Sequence, residues 1–296
     1  MQIAILSRGE QLYSTQRLLH TAVDRGHEIR VLDVTKFDLI TGDPTYKLWY
    51  DGAPLDRLDG ILPRIGNTIT YQGAAVIRQF EGMNIFTTTS SEALLHSRDK
   101  LITLQYLSAL GFPVPRSFYP TPNSQFEDIA KVFGGYPIVI KTLTSTHGEG
   151  VALIQNYEEL NELAWHYFRT GTRFMIQEFI GECNGEDIRI FIVDGKVVAS
   201  MKRKAAMGDF RSNLHMGGTA STCNLDPKTI EMAVSAVNSL GLKVAGVDII
   251  ESKKGPLILE INASPGLEGI ENTTQIDVAG SIIDYMESFI LQGSIN

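Results

Sequence analysis

Cysteine is scarce in this 296-residue chain. Cys183 and Cys223 are the only two, and they show neither metal-ligand nor redox spacing. That excludes a disulfide framework and fits two bland thiols in a reducing cytoplasm. Positive charge is also short: 26 Lys and Arg stand against 34 Asp and Glu, for a net charge of −8. Strong nonspecific binding to nucleic acid is therefore not expected, and local basic clusters must serve local anions such as a nucleotide. No apolar run approaches the ~20 residues of a membrane span. The chain opens on Met1-Gln2-Ile3-Ala4-Ile5-Leu6, a strand pattern with no basic leader, so neither a membrane anchor nor a secretory signal is expected. Ser7-Arg8-Gly9 is not the glycine fingerprint of a dinucleotide-binding dehydrogenase, and no Gly-Lys-Ser/Thr marks a P-loop. There is no nucleophile elbow, and the six histidines are scattered.

What is present is ordinary globular material, 43% hydrophobic and 20% charged, long enough for two or three small domains. Strand patterns at 2–6, 28–32 and 60–63 alternate with a helical pattern over 14–24, whose Leu18, Leu19, Ala22 and Val23 share a face. This predicts a small, mostly parallel α/β unit. A helix follows over Ser97–Leu110, stopped by Gly111 and then Pro113 and Pro115. Four prolines over 113–122 predict an extended connector. From 138 onward strand patterns crowd together at 138–141, 151–154, 174–177, 187–193, 196–203, 246–250 and 257–262, with Asp194-Gly195 as a hairpin turn. One helix lies at 227–240, with Asp226 as N-cap, Pro227 in the first turn, and Ile230, Val234 and Val237 on one face. This half reads as α+β with mostly antiparallel sheets.

The most informative residues are Asp248, Glu260 and Asn262. They sit on two strongly apolar strands joined by a turn at Lys253-Lys254-Gly255-Pro256. Strand alternation places Ile258, Glu260 and Asn262 on one face, within reach of Asp248. Two carboxylates and an amide oxygen on such strands are costly without a cation. They suit magnesium, which takes oxygen ligands and keeps waters and substrate phosphates as well.

Other constellations point to an anion. Thr144-Ser145-Thr146-His147-Gly148-Glu149-Gly150 is either a phosphate-covering loop or a plain hairpin loop. Lys141 ends the strand before it and reaches a phosphate as a point charge or snorkels at a strand end. Gln177-Glu178-Phe179-Ile180 offers backbone groups and apolar cover to an adenine edge. Asp187 shares a strand face with Arg189 and serves either ribose hydroxyls or a surface Asp–Arg pair. Lys202-Arg203-Lys204 and Phe210-Arg211-Ser212-Asn213-Leu214-His215 frame a basic loop running to Gly217-Gly218, suited to oxyanions. His147 and His215 could be proton shuttles, but each reads first as a polar loop residue.

In order, Arg98-Asp99-Lys100, Ile138-Val139-Ile140-Lys141, the glycine loop, 177–180, Asp187-Ile188-Arg189, Asp248 and Glu260-Ile261-Asn262 resemble the ATP-grasp superfamily. Pro63-Arg64-Ile65-Gly66, residues 208–215 and Asn262-Ala263-Ser264-Pro265-Gly266-Leu267-Glu268-Gly269-Ile270-Glu271 resemble its RimK family, over nearly the whole chain. Met216 is a departure, since a basic residue is common there in the family. The resemblance implies an ATP-grasp fold built from α/β and α+β parts: an N-terminal, mostly parallel α/β domain (1–95), a central small domain (96–180) and a C-terminal domain with the metal site (181–296), two sheets clasping ATP. It implies phosphate contacts from Lys100 and Lys141, adenine at Glu178, Phe179 and Ile180, and ribose on Asp187. It places Arg211, Ser212 and Asn213 near the phosphates and two magnesium or manganese ions on Asp248, Glu260 and Asn262. The implied reaction is ADP-forming ligation of a carboxylate to an amine through an acylphosphate, with Arg203 and Arg211 stabilising charge. Glutamate would be added to the C-terminus of a protein, the sixth small-subunit ribosomal protein in the family's namesake. Arg64 and the 202–204 cluster are candidates to meet the second carboxylate of the incoming glutamate. The competing readings are a ligase extending a coenzyme tail or an amino-group carrier protein, and a nucleotide-binding module without catalysis. No direct nucleic-acid or membrane partner is expected, and a homo-oligomer is left open.

Overall fold

The computed structural model describes residues 1–42, 48–144 and 150–293. Residues 145–149, and with them His147, lie outside the described residues, as does the side chain of His215. Four parallel strands form the N-terminal sheet, in the order Glu28–Leu32, Gln2–Leu6, Gly60–Pro63, Phe86–Thr87. A small antiparallel ribbon (Phe37–Leu39, Leu48–Tyr50, Ala53–Pro54) lies beside it. The middle sheet is antiparallel, in the order Val151–Ile154, Ile138–Thr142, Phe174–Glu178, Ser117–Phe118. The third, also antiparallel, runs Thr219–Thr222, Lys196–Lys204, Glu186–Val193, Val244–Ser252, Gly255–Asn262. Buried clusters join the N-terminal sheet to the third: Ala4, Leu6 and Ile61 share one with Ile190, Val247 and Ile261. The middle sheet packs its own core, including Ile138, Ile140, Phe174 and Ile176, against the helices Phe126–Phe133 and Tyr157–Thr170.

The structure corrects several sequence expectations. The helix expected over 97–110 is two helices, Ser91–Arg98 and Lys100–Ala109. Asp99 stands between them in extended conformation, and its carboxylate accepts from the backbone N–H of Leu101 and Ile102. An Asp in that position caps a new helix, which helical periodicity alone does not register. In the helix Tyr13–Asp24 the buried stripe is Thr15, Leu18, Thr21 and Ala22, while Val23 is exposed. In Pro227–Ser239 it is Thr229, Ala233, Ala236 and Val237, with Ile230 and Val234 only half-buried. Small residues face the sheet there because they allow close helix–sheet approach, and hydrophobicity alone points one position away. The proline-rich connector contributes Ser117–Phe118 as an edge strand, and Pro113 O accepts from Ile258 N (2.8 Å).

The last correction shapes the site. The hairpin Val244–Ser252/Gly255–Asn262 carries a bulge, with Asp248 opposite Glu260 but Ile249 opposite Ile258. Leu259 is the extra residue. A bulge breaks the alternation of faces. Ile258 therefore does not share a face with Glu260. It joins Ile261 in the core, leaving Glu260 and Asn262 on the other side.

Candidate functional site

The bulged hairpin places Asp248 directly across from Glu260 and Gly246 across from Asn262. Gly246 is required here. A Cβ on it would stand 2.8 Å from Pro265 Cβ, so any larger residue would push away the turn following Asn262. Asn262 Oδ1 accepts from Ser264 N (2.9 Å), which shapes that turn.

Asp248 is 7% exposed and belongs to a buried charge network. Arg189 grips it with two nitrogens, Nη2 at 2.7 Å, and Arg203 Nη2 lies 2.9 Å from its Oδ2. Arg203 also grips Asp187, through Nε at 2.7 Å and Nη2 at 2.5 Å. Two carboxylates and two guanidiniums thus alternate across three strands. The surface Asp187–Arg189 pair is therefore a correction: Asp187 is buried, and its partner is Arg203 on the neighbouring strand. Ser212 also hydrogen-bonds to Asp187. Burial alone would raise the Asp248 carboxyl, but Arg189 and Arg203 hold it down at about 2. It is an anion at any physiological pH.

Glu260 contrasts with Asp248. It is half-buried, and it accepts no hydrogen bond from a described residue. Its field falls on Lys141 and Arg98. A carboxylate left unbonded beside a bonded one and an amide oxygen is a hard oxygen set with open lone pairs, and these residues fit a divalent cation.

Lys141 approaches from the middle sheet. The residue keeps partial exposure at the strand end, but its ammonium is surrounded by protein. Burial pulls it down to about 8, assisted by Lys100 and opposed by Glu260, Asp248 and Asp187. Lys100 opens its helix, and its backbone N–H donates to Leu143 O (3.3 Å). Lys141 loses its proton as pH rises through about 8, so ADP binding in the presence of EDTA should weaken from pH 7 to 9.5, and Lys141→Met should bind weakly with a flat profile. Titration calorimetry across that range checks it, and a flat wild-type profile contradicts it. The sign for stability is opposite. A folded pKa below the unfolded 10.5 means the folded state binds fewer protons between the two values, so this group's contribution to stability rises with pH across that window.

At the end of strand Phe174–Glu178, the Glu178 carboxylate accepts from Arg116 N (2.8 Å) and Nε (2.7 Å). Arg116 also donates to Val132 O (2.6 Å) and Phe133 O (3.2 Å), bracing the segment Glu178–Ile180. Sequence reasoning did not find Arg116, because nothing in its spacing links it to residue 178. Phe179 meets Phe210 edge-on, centroids 6.1 Å apart, which ties this segment to the basic loop. In that loop Arg211 pairs with Asp209 (Nη2–Oδ2 2.9 Å) and holds its carboxyl at about 2. Gly218 closes the loop base, since a Cβ there would lie 2.8 Å from Lys204 O and 2.9 Å from Asn213 O. Arg203, Ser212, Asp187 and Asp248 are thus brought into one network. Lys141 and Glu260 are close enough to act on each other electrostatically, and the Phe179–Phe210 contact brings 178–180 beside the loop that carries Arg211.

Residues 1–94 match the model of the RimK PreATP-grasp domain and residues 97–286 that of the RimK-like ATP-grasp domain. A protein named probable alpha-L-glutamate ligase from Cellvibrio japonicus (strain Ueda107) is 46% identical over 289 residues, covering 97% of this chain and 95% of its own. Its namesake in Methanococcoides burtonii is 44% identical with the same coverage. Among solved structures, the ATP-grasp ligase PsnB with a minimal precursor superposes with TM-score 0.76 at 19% identity, covering 97% of this chain and 99% of its own. A D-alanine–D-alanine ligase from Bacillus anthracis gives 0.69 at 17%, covering 99% and 98%. These two show the shared ATP-grasp fold.

Proposed function

Because the chain belongs to the RimK-like family of ATP-grasp ligases, we propose that it adds L-glutamate to the C-terminus of an acceptor protein, forming a peptide bond and releasing ADP and phosphate. The observation that carries this reading is the pairing of Asp248 with Glu260 across a bulged hairpin, with Asn262 one step along and Lys141 facing them. A binding module has little use for an unbonded carboxylate where a nucleotide's phosphates would lie. The near-full-length likeness to relatives named as glutamate ligases supports the donor.

In this reading ATP lies between the middle and third sheets. Glu178, Phe179 and Ile180 frame the adenine, Asp187 takes the ribose, and Lys100, Lys141, Arg211, Ser212 and Asn213 position the phosphates. Asp248, Glu260 and Asn262 would hold two magnesium or manganese ions, which would supply positive charge against the charge developing on the phosphates. The acceptor carboxylate attacks the γ-phosphorus and ADP leaves. The glutamate amine then attacks the acyl carbon of the acylphosphate, and phosphate departs with one oxygen of the original carboxylate. Arg203 fixes the orientation of Asp187 and Asp248 and adds positive charge, and Arg211 meets charge developing near the loop. No enzyme nucleophile is needed. Water must be excluded, because it would hydrolyse the acylphosphate.

By resemblance, the sixth small-subunit ribosomal protein is the proposed acceptor. Free thiols at Cys183 and Cys223 fit a cytoplasmic setting, and among the described residues no helix is long and apolar enough to cross a membrane. Incubation with ATP, magnesium, glutamate and that acceptor, followed by intact-mass measurement, should show additions in units of one glutamyl residue. Mass gain with alanine or lysine but not glutamate would overturn the donor. Gain only on a coenzyme tail or carrier protein would overturn the acceptor.

A further inference from the structure

Arg64 and Arg98, both half-buried, stand close together and form no ion pair among the described residues. Arg64 leaves the N-terminal sheet just after strand Gly60–Pro63, and its Nη2 donates to Pro265 O (2.7 Å), in the turn that follows Asn262. Arg98 ends the helix Ser91–Arg98 and donates to Ile65 O. Among the described residues neither forms an ion pair with a carboxylate. Burial pulls both below the usual guanidinium range, Arg64 to about 10 with further lowering from Arg98. Among the described residues, Arg98 Nε and Ser264 Oγ are buried with no hydrogen-bond partner. Like charges and unmade hydrogen bonds cost stability when buried. Together they present uncommitted hydrogen-bond donors near Glu260, whose field supports the charge of Arg98.

We propose that Arg64 and Arg98, with Ser264, form the niche that receives a carboxylate of the incoming amino acid. This deepens the ligase reading and rests on it. A free amino acid that reacts through its amine brings at least one carboxylate that takes no part in the chemistry, and glutamate brings two. That charge needs cations not already committed. The cluster at 202–204 does not supply them: Lys202 and Lys204 both pair with Glu186, at 3.1 and 3.2 Å, and Arg203 is shared by Asp187 and Asp248. Arg64 and Arg98 remain. Each offers several donors in a planar fork that matches carboxylate geometry. Arg64 reaches from the N-terminal sheet to the turn after Asn262, so a carboxylate held there lies beside the proposed metal residues.

The test uses the full chain with Arg64→Met and Arg98→Met, and Arg64→Lys, which keeps the charge, as a variant that survives should the first fail to fold. Losing a charge-assisted hydrogen bond to a carboxylate corresponds to roughly 10- to 100-fold. The KM for glutamate should rise by that factor in the Met variants and by less in Arg64→Lys, with the KM values for ATP and acceptor unchanged. Independently of turnover, glutarate should raise the melting temperature of the wild-type protein and not that of Arg64→Met. A rise in KM for ATP or for acceptor with glutamate unaffected would overturn the niche, as would an equal glutarate shift in wild type and variant. The two levels separate cleanly. Wild-type protein that adds no glutamate counts against the ligase reading, whereas variants indistinguishable from a glutamate-adding wild type count against the niche alone.

Discussion

Glu260→Gln should slow ATP-dependent ligation by about a thousandfold, or about 4 kcal/mol of transition-state stabilisation, while moving the melting temperature by only about a degree or two. The asymmetry follows from the position of Glu260. Its carboxylate accepts no hydrogen bond from a described residue, so an amide of the same shape breaks no hydrogen bond in the ligand-free fold. What is lost is a hard anionic oxygen at the point where a divalent cation and the terminal phosphate meet. A second consequence reinforces the first. Glu260 supports the charge of Lys141, so without it Lys141 falls further below its present value and delivers less charge to the phosphates. Steady-state ADP release alongside a thermal melt measures both quantities. Full turnover in the variant would remove the catalytic reading and favour a nucleotide-binding module.

Asp248→Ala should do more damage of a different kind. Asp248 lies between Arg189 and Arg203, both largely buried. Removing it leaves Arg189 without a partner and Arg203 with Asp187 alone. Uncompensated buried charge of this sort costs about 3–5 kcal/mol, or roughly ten degrees of melting temperature for a chain of this size. Turnover should fall as well, because the anion opposite Glu260 is gone. Asp248→Ala combined with Arg189→Met removes one charge of each sign. It should recover part of the stability and none of the activity, since residues in one ion network do not contribute additively. An Asp248→Ala protein that melts with wild type would show that the alternating network does not hold the third sheet together.

Much of this was legible in the sequence because the chemistry sits on strands with strong apolar patterns. Asp248, Glu260 and Asn262 stood out as polar residues inside β-branched runs, and the fold class followed from the alternation before residue 90 and the strand crowding after 138. The bulge at Leu259 was not legible. A single extra residue leaves composition unchanged and reverses the face of every side chain before it, so Ile258 was assigned to the wrong side. The break at Asp99 was hidden because a capping residue between two helical patterns looks like one helix with a polar position. Cross-strand partners were hidden too: Asp187 and Arg189 are two apart in sequence, yet each is bonded to a different neighbouring strand, and pairing register is set by the whole sheet. Arg116 and Glu178 are 62 residues apart, and no local pattern joins them. The helix faces were misplaced by one residue where alanine and threonine, not valine or isoleucine, make the close contact.

The central claim is that a nucleotide's terminal phosphate is passed to a carboxyl group before the amine attacks. The most direct test is to label the acceptor's terminal carboxylate with oxygen-18, run the reaction with ATP, magnesium and glutamate, and analyse the phosphate released. Passage through an acylphosphate predicts one labelled oxygen in the phosphate for each glutamyl residue added, with unlabelled ADP. Phosphate carrying no label while glutamate is still added, or label appearing in AMP, would contradict it.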